Sequence, residues 1–333
     1  MQDNNSVFFS IIIATKNRQY SINNTLKSLK DQTFKNFEVI VVNDYSDYEY
    51  KLDEKIISEL NFKFLDNKYS AGRSAARNYA LNFVEQSSQY YIFLDDDDYL
   101  DKTYLMNVYN KIIETSDCNI DIFYSNYQKI YLDFYEDNYR EYKREYITTS
   151  EFDIELLTKS NFIPIITAVF NRRCFDKIRF SETFDCLEDW DLFLQAAYQN
   201  NFIFKKIDIC GCRYCLRNDR TNSTFAEFDK FYEARKKILI KYQSFFDKFQ
   251  EIKKLHLQYL ATFENQYSEW VKVIELNGCK NLVIKDSNGR EFLLHSKYNP
   301  ILESQRQIAK FATDDNTLII LIGAGLGYKV QSL

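Results

Sequence analysis

Two rhythms of apolar residues alternate along the front of the chain. Phe8 to Ala14 (Phe-Phe-Ser-Ile-Ile-Ile-Ala) is a short unbroken apolar run with a β-branched centre, the pattern of a strand buried on both faces. After Thr15-Lys16-Asn17-Arg18 the spacing changes, and Ile22, Leu26 and Leu29 fall on one face of a helix that ends near Asp31-Gln32. Phe37 to Val42 reads as a second strand, closed by Asn43-Asp44. Lys51 to Leu60 predicts a helix and Asn61 to Leu65 a short third strand. Ser74 to Glu85 predicts another helix, with Ala75, Tyr79 and Phe83 on one face. Tyr91 to Leu94 is again strand-like, and it stops abruptly in Asp95, Asp96, Asp97 and Asp98. Strand and helix in alternation predict an α/β fold: a mostly parallel sheet flanked by helices.

The pattern continues with a helix from Leu100 to Thr115 and an aromatic strand from Ile120 to Tyr135. The tyrosine-rich stretch from Tyr131 to Tyr146 reads either as a partly exposed hairpin or as a loop facing an acceptor. Glu188 to Tyr198 opens a helix, its acidic residues suiting the positive end of the helix dipole. Ile203 to Tyr214 reads as a strand and Arg213 to Thr224 as a polar, basic loop. From Ala226 no Gly or Pro occurs until Gly278, and apolar residues recur at helical spacing, including Phe231, Ile238, Tyr242, Trp270 and Ile274. Two or three packed helices are expected there, a helical connector that could join copies of the chain into a homo-oligomer. Asn281 to Leu294 predicts a hairpin around Asp286-Ser287-Asn288-Gly289. A helix from Asn299 to Phe311 and a strand from Thr317 to Ile322 then lead into Gly323-Ala324-Gly325-Leu326-Gly327, the opening of a strand-to-helix turn. The expected organisation is therefore a domain over 1–225, a connector over 226–276, and the start of a second α/β domain over 277–333 in a chain cut from a longer protein.

Composition narrows the chemistry. The net charge of -5 argues against a general nucleic-acid binder, although it leaves room for a local basic pocket. No apolar run approaches the roughly 20 residues that span a bilayer, and Met1 to Ser6 is polar, without a signal pattern. Seven irregularly placed cysteines point to reduced thiols in a cytoplasmic protein. With only 7 Gly and 2 Pro, turns must rest on Asn, Asp and Ser.

Asp95 to Asp98 carry the strongest chemical signal. Carboxylates crowded at a strand end repel one another, and a positive group is expected among them. Hard divalent cations such as Mg2+ or Mn2+ suit such oxygen donors. In open α/β sheets ligands gather at the carboxyl ends of strands, which is where this cluster falls.

Five pieces in order, Ile-Ile-Ile-Ala-Thr-Lys-Asn-Arg, Val-Ile-Val-Val-Asn-Asp, Ala-Gly-Arg-Ser-Ala-Ala-Arg-Asn, Ile-Phe-Leu-Asp-Asp-Asp-Asp and Glu-Asp-Trp-Asp-Leu, resemble family 2 glycosyltransferases with the GT-A fold. The resemblance covers Phe8 to Thr224 and implies a Rossmann-like nucleotide-binding sheet. It implies an inverting, metal-dependent transfer from a UDP-sugar, with UDP-GlcNAc the leading donor. Thr15, Asn17 and Arg18 would border the uridine and diphosphate, Asp44 would accept the uracil N3–H, and Arg77 would face the nucleotide and diphosphate. Asp95 and Asp97 match the Asp-x-Asp motif, with Asp97 the direct ligand of Mn2+ or Mg2+, Asp95 near ribose and metal, and Asp96 and Asp98 beside them. Asp189 would be the catalytic base, with Glu188 its neighbour; otherwise it is a helix-start carboxylate with an electrostatic role.

The chain departs from that family in places. Lys16 stands where an aromatic residue is common, which puts uracil stacking there in doubt. The only histidines, His256 and His295, lie outside the transferase stretch, so the metal ligands should all be oxygen. Arg217 and Arg220 either close over the diphosphate or belong to a solvated basic loop. Cys210, Cys212 and Cys215 are expected to be strand thiols rather than metal ligands. Leu293 to Pro300 followed by Leu318 to Tyr328 is similar to Maf-type flagellin-modifying proteins, which implies flagellin as acceptor. The alternatives are a glycan acceptor, as in capsule or lipopolysaccharide assembly, or a scaffold that only binds nucleotide. A sugar nucleotidyltransferase is disfavoured because Ala14 to Arg18 contains no glycine.

Overall fold

The structure, a computed structural model, describes residues 6–68, 72–115, 118–135, 138–217, 228–266, 271–276, 279–285 and 291–293. The chain divides into two compact units, 1–240 and 241–333, and the division falls within one long helix.

The first unit is built on a nine-stranded sheet. Its opening half follows the alternation in the sequence: β1 (Phe9–Thr15), α1 (Gln19–Lys30), β2 (Phe37–Asn43), α2 (Glu54–Ile57), β3 (Phe62–Asp66), α3 (Arg73–Ala80) and β4 (Tyr90–Phe93). These four strands are parallel, in the order β3-β2-β1-β4. Ile11, Ile12 and Ile13 are fully buried, as a strand covered on both faces requires, and so are Ile22, Leu26 and Leu29 on the inner face of α1.

The second half is mixed. It contains β5 (Tyr99–Leu100), α4 (Tyr104–Glu114), β6 (Ile122–Tyr135), β7 (Asn138–Ile147), α5 (Ile154–Lys159), β8 (Ala168–Asn171), α6 (Glu188–Leu194) and β9 (Phe204–Arg217). The sheet continues β4-β8-β6-β9-β5, with β7 paired to the outer part of β6. β8 runs antiparallel to both β4 and β6, whereas β9 runs parallel to β6. The sheet's carboxyl edge thereby gathers the ends of β1, β2, β4 and β9 near the start of α6.

Several expectations are corrected here. Tyr99 and Leu100 form a strand against Arg213 and Cys212, so the helix expected from Leu100 begins at Tyr104. For the tyrosine-rich stretch the hairpin reading holds, with β6 and β7 pairing antiparallel. Arg213 to Arg217 completes β9 instead of opening a loop, because it is held by pairing on both sides: along Gln128 to Leu132 of β6, and at Arg213 with Tyr99 of β5. Between Ala226 and Leu276 the described residues form one 39-residue helix, α7 (Phe228–Gln266), and then β10 (Val271–Leu276), where two or three helices were expected. No Gly or Pro interrupts α7, while Val-Lys-Val-Ile-Glu-Leu is rich in β-formers.

In the second unit β10, β11 (Cys279–Lys285) and β12 (Glu291–Leu293) form an antiparallel sheet, with the expected hairpin between the last two. The helix and glycine-rich turn expected beyond Asn299, the Maf-like stretch, His295 and Arg220 lie outside the described residues.

Candidate active site

A cleft of about 290 Å3 opens at the carboxyl edge of the sheet. Thr15, Lys16, Arg18, Asp44, Arg77, Asp95, Asp96 and Asp97 line it, so four of the five sequence pieces converge there. Glu188, from the fifth, is tied to the cleft through Arg77.

The acidic cluster is balanced by guanidinium groups. Arg77, almost fully buried, donates from Nη2 to Asp95 Oδ1 at 2.7 Å and from Nη1 to Glu188 Oε1 at 2.8 Å. Arg18 Nη1 lies 3.0 Å from Asp97 Oδ2, and Arg217 Nη2 approaches the same oxygen at 2.5 Å. The positive charge expected among the aspartates is therefore supplied, in part, by three arginines. Arg73, one helical turn before Arg77, points its Nε at Glu188 from 3.8 Å.

The remaining aspartates serve different ends. The Thr15 hydroxyl donates to Asp96 Oδ2 at 2.6 Å, and Thr15 also meets the Tyr50 hydroxyl at 2.8 Å. Asp98 is buried, with Oδ1 accepting from the Cys215 amide at 2.7 Å. Thr25 of α1 donates to the carbonyls of Asp96 and Asp98, fixing the turn after β4. Burial, reinforced by the charge of Asp97, pushes the Asp96 carboxyl up to about 7. Burial raises Asp97 as well, against the pull of Arg217 and Arg18, and it holds Asp98 well above the usual carboxylate range.

Asp44 follows β2 and is buried. Its Oδ2 accepts from the Gly72 amide at 2.7 Å, while Oδ1 has no hydrogen-bond partner among the described residues. Gly72 holds φ at +112°, a conformation that disfavours any side chain, and this lets its amide reach Asp44. An orphaned buried carboxylate oxygen at the cleft wall is a ready acceptor for a ligand N–H.

Asp189 is half-buried in the first turn of α6, where its Oδ1 accepts from the Trp190 amide at 2.8 Å. Burial and the neighbouring Glu188 push it up to about 7, against the influence of Asn161 and Arg77. Leu187, just ahead, has φ +61°, so the chain enters this helix through a strained residue. Trp190 anchors the helix by donating to the Leu157 carbonyl at 2.7 Å.

Asn17 is placed differently from the rest. Its amide exchanges hydrogen bonds with Asp47 and its backbone N–H with Ser46, so it braces the loop after β2 and does not line the cleft. Among residues that the sequence reading left out, Arg73, Gly72 and Tyr214 line the cleft. The spacing of Arg73 and Arg77 on one helix face was a usable signal; Tyr214 had none. Cys212 and Cys215 are buried strand thiols pushed upward by burial, and Cys210 is half-buried.

A scan against family descriptions matches residues 10–179, about half of the chain, to glycosyl transferase family 2. The chain belongs to that family. Among curated relatives it is 26% identical over 227 residues to UDP-Glc:alpha-D-GlcNAc-diphosphoundecaprenol beta-1,3-glucosyltransferase WfgD of Escherichia coli, covering 68% of this chain and 82% of WfgD. It is 29% identical over 178 residues to glycosyltransferase GlyA of Streptococcus pneumoniae, covering 51% of this chain and 25% of GlyA. The chain thus spans most of WfgD but only a quarter of GlyA. Over 98 residues, 28% of this chain and 17% of the relative, it is 38% identical to the poly(ribitol-phosphate) beta-N-acetylglucosaminyltransferase TarS of Staphylococcus aureus. The crystal structure of S. aureus TarS superposes with a TM-score of 0.52 at 18% identity, covering 86% of this chain and 60% of that one. The family 2 glycosyltransferase therefore has the GT-A-type α/β fold that its sequence resembles.

Proposed function

We propose that this glycosyltransferase moves a sugar from a UDP-sugar, such as UDP-GlcNAc, to a hydroxyl of a glycan acceptor. One observation carries this reading: a single cleft combines a buried orphan oxygen on Asp44 and a paired-carboxylate turn with Arg18 and Arg77 on its wall, while Arg217 reaches Asp97 from β9. Asp44 would receive the uracil N3–H. Arg18, Arg77 and Arg217, now spread over Asp95, Asp97 and Glu188, would turn towards the diphosphate oxygens.

Asp95 and Asp97 fit a divalent cation in the chemistry of their donors, each being a carboxylate with a second oxygen besides the one bound to arginine. Among the described residues no three carboxylate, thiol or imidazole groups converge. Mg2+ or Mn2+ would therefore take one or two protein oxygens and complete its shell from diphosphate and water. When bound, it would supply neutralisation of the charge on the departing diphosphate. Asp189 would accept the proton of the acceptor hydroxyl, and Glu188, locked to Arg77, would hold the start of α6 in register with the donor. Attack from the side opposite the leaving group inverts the anomeric centre.

WfgD and TarS are named for transfer to a lipid-linked glycan and to a polyol phosphate polymer, which supports a glycan over flagellin as acceptor. A donor panel monitored by UDP release, with a lipid-linked glycan in one arm and flagellin in the other, tests both. Stimulation by the glycan supports the reading; stimulation by flagellin alone replaces the acceptor, and no UDP release with any donor removes the function.

A further inference from the structure

A second, open groove of about 950 Å3 lies beside the first and is more than three times its volume. Lys27, Lys30, Lys35, Lys102 and Arg213 line it, against Asp31 and Asp101, in a chain whose net charge is negative. Lys30 pairs with Glu59, and Arg213 with Asp101. Lys35 donates to the Lys30 carbonyl. Lys27 and Lys102, both exposed, have no side-chain partner among the described residues.

Two tyrosines complete the wall. Arg213 lies over the Tyr99 ring at 5.4 Å, and Arg217 over the Tyr139 ring at 5.7 Å. Arg217 is also the group that reaches Asp97 in the donor cleft. β9 gives Arg213 to the groove and Tyr214 and Cys215 to the cleft, so one strand separates the two. A molecule seated in the groove would lie next to the diphosphate end of the donor site.

We propose that this groove seats the phosphate groups of the acceptor, a polyanionic glycan or polyol phosphate chain, while its hydroxyl is presented to the cleft. The inference rests on the sugar-transfer reading above. Unpaired ammonium groups suit phosphodiester oxygens, tyrosine faces suit the sugar or polyol between them, and the volume accommodates several units. WfgD and TarS are both named for phosphate-bearing acceptors, a diphosphate-linked glycan and a poly(ribitol phosphate).

The test uses the full chain and its Lys27→Gln/Lys102→Gln variant, both substitutions being at exposed positions. Binding of soluble glycerol phosphate oligomers, of a neutral maltooligosaccharide, of phosphatidylglycerol vesicles and of UDP is measured at two salt concentrations. The expected result is salt-sensitive binding of the phosphate oligomer, weakened by about tenfold in the variant, with UDP affinity unchanged. Equal binding of the neutral oligosaccharide, an unaffected variant, or binding to vesicles alone would overturn the proposal. Wild-type protein that binds UDP but not the oligomer would sink the groove and spare the transfer reading. Protein that binds the oligomer but not UDP would remove the acceptor role along with that reading.

Discussion

Arg77, itself almost fully buried, joins the buried Glu188 to Asp95 on the cleft wall through two hydrogen bonds. Replacing it by Met would leave two carboxylates without their shared cation. Breaking a buried pair in this way costs about 3–5 kcal/mol, and urea denaturation should register a loss of that order. Adding Glu188→Gln to Arg77→Met should restore part of the loss, since one stranded charge is then gone. Asp189 supports a prediction about pH. Its carboxyl, pushed up to about 7 and faced by Glu188, Arg77 and Arg73, must lose its proton before it can accept another. The kcat/KM for transfer should therefore rise with pH and level off above about 7. The stability effect runs the other way. The folded protein keeps this proton where the unfolded chain has lost it, so the contribution of Asp189 is fully present in acid and lost as pH rises through about 7. A pH-rate profile without that limb would remove Asp189 as the titrating base.

At the scale of elements, strands with continuous apolar runs were legible, and so were the turns that follow them. Ile11 to Ile13, Val39 to Val42 and Ile92 to Leu94 are long enough in apolar character to announce buried strands, and their ends deliver Thr15, Asp44 and Asp95 to one edge. β8 was not legible. It is a four-residue strand between short helical turns, and its central place between β4 and β6 comes from tertiary pairing and not from local pattern. Arg217 was legible only as a basic residue, because its approach to Asp97 depends on the parallel pairing of β9 with β6. Where β9 crosses α4, Gly211 faces Tyr104 so closely that an added Cβ would meet the ring at 2.7 Å. Gly211→Ala should destabilise the protein by about 1–3 kcal/mol, read as a fall in the urea midpoint. An unchanged midpoint would mean that the ring has room to move.

At the scale of the molecule, the sheet's carboxyl edge brings Asp44, Asp95 to Asp98, Glu188 and Asp189 together with Arg18, Arg73, Arg77 and Arg217, so that carboxylates outnumber guanidinium groups. If a divalent cation assists, EDTA should weaken UDP binding and abolish transfer, and added Mn2+ or Mg2+ should restore both; calorimetry and UDP release would read these effects. The division of labour between donor cleft and proton acceptor is tested most directly by comparing wild-type and Asp189→Asn turnover at saturating UDP-sugar and acceptor. The variant should turn over about 10²–10⁴-fold more slowly while binding UDP as the wild type does. Turnover by Asp189→Asn at the wild-type rate would contradict the account.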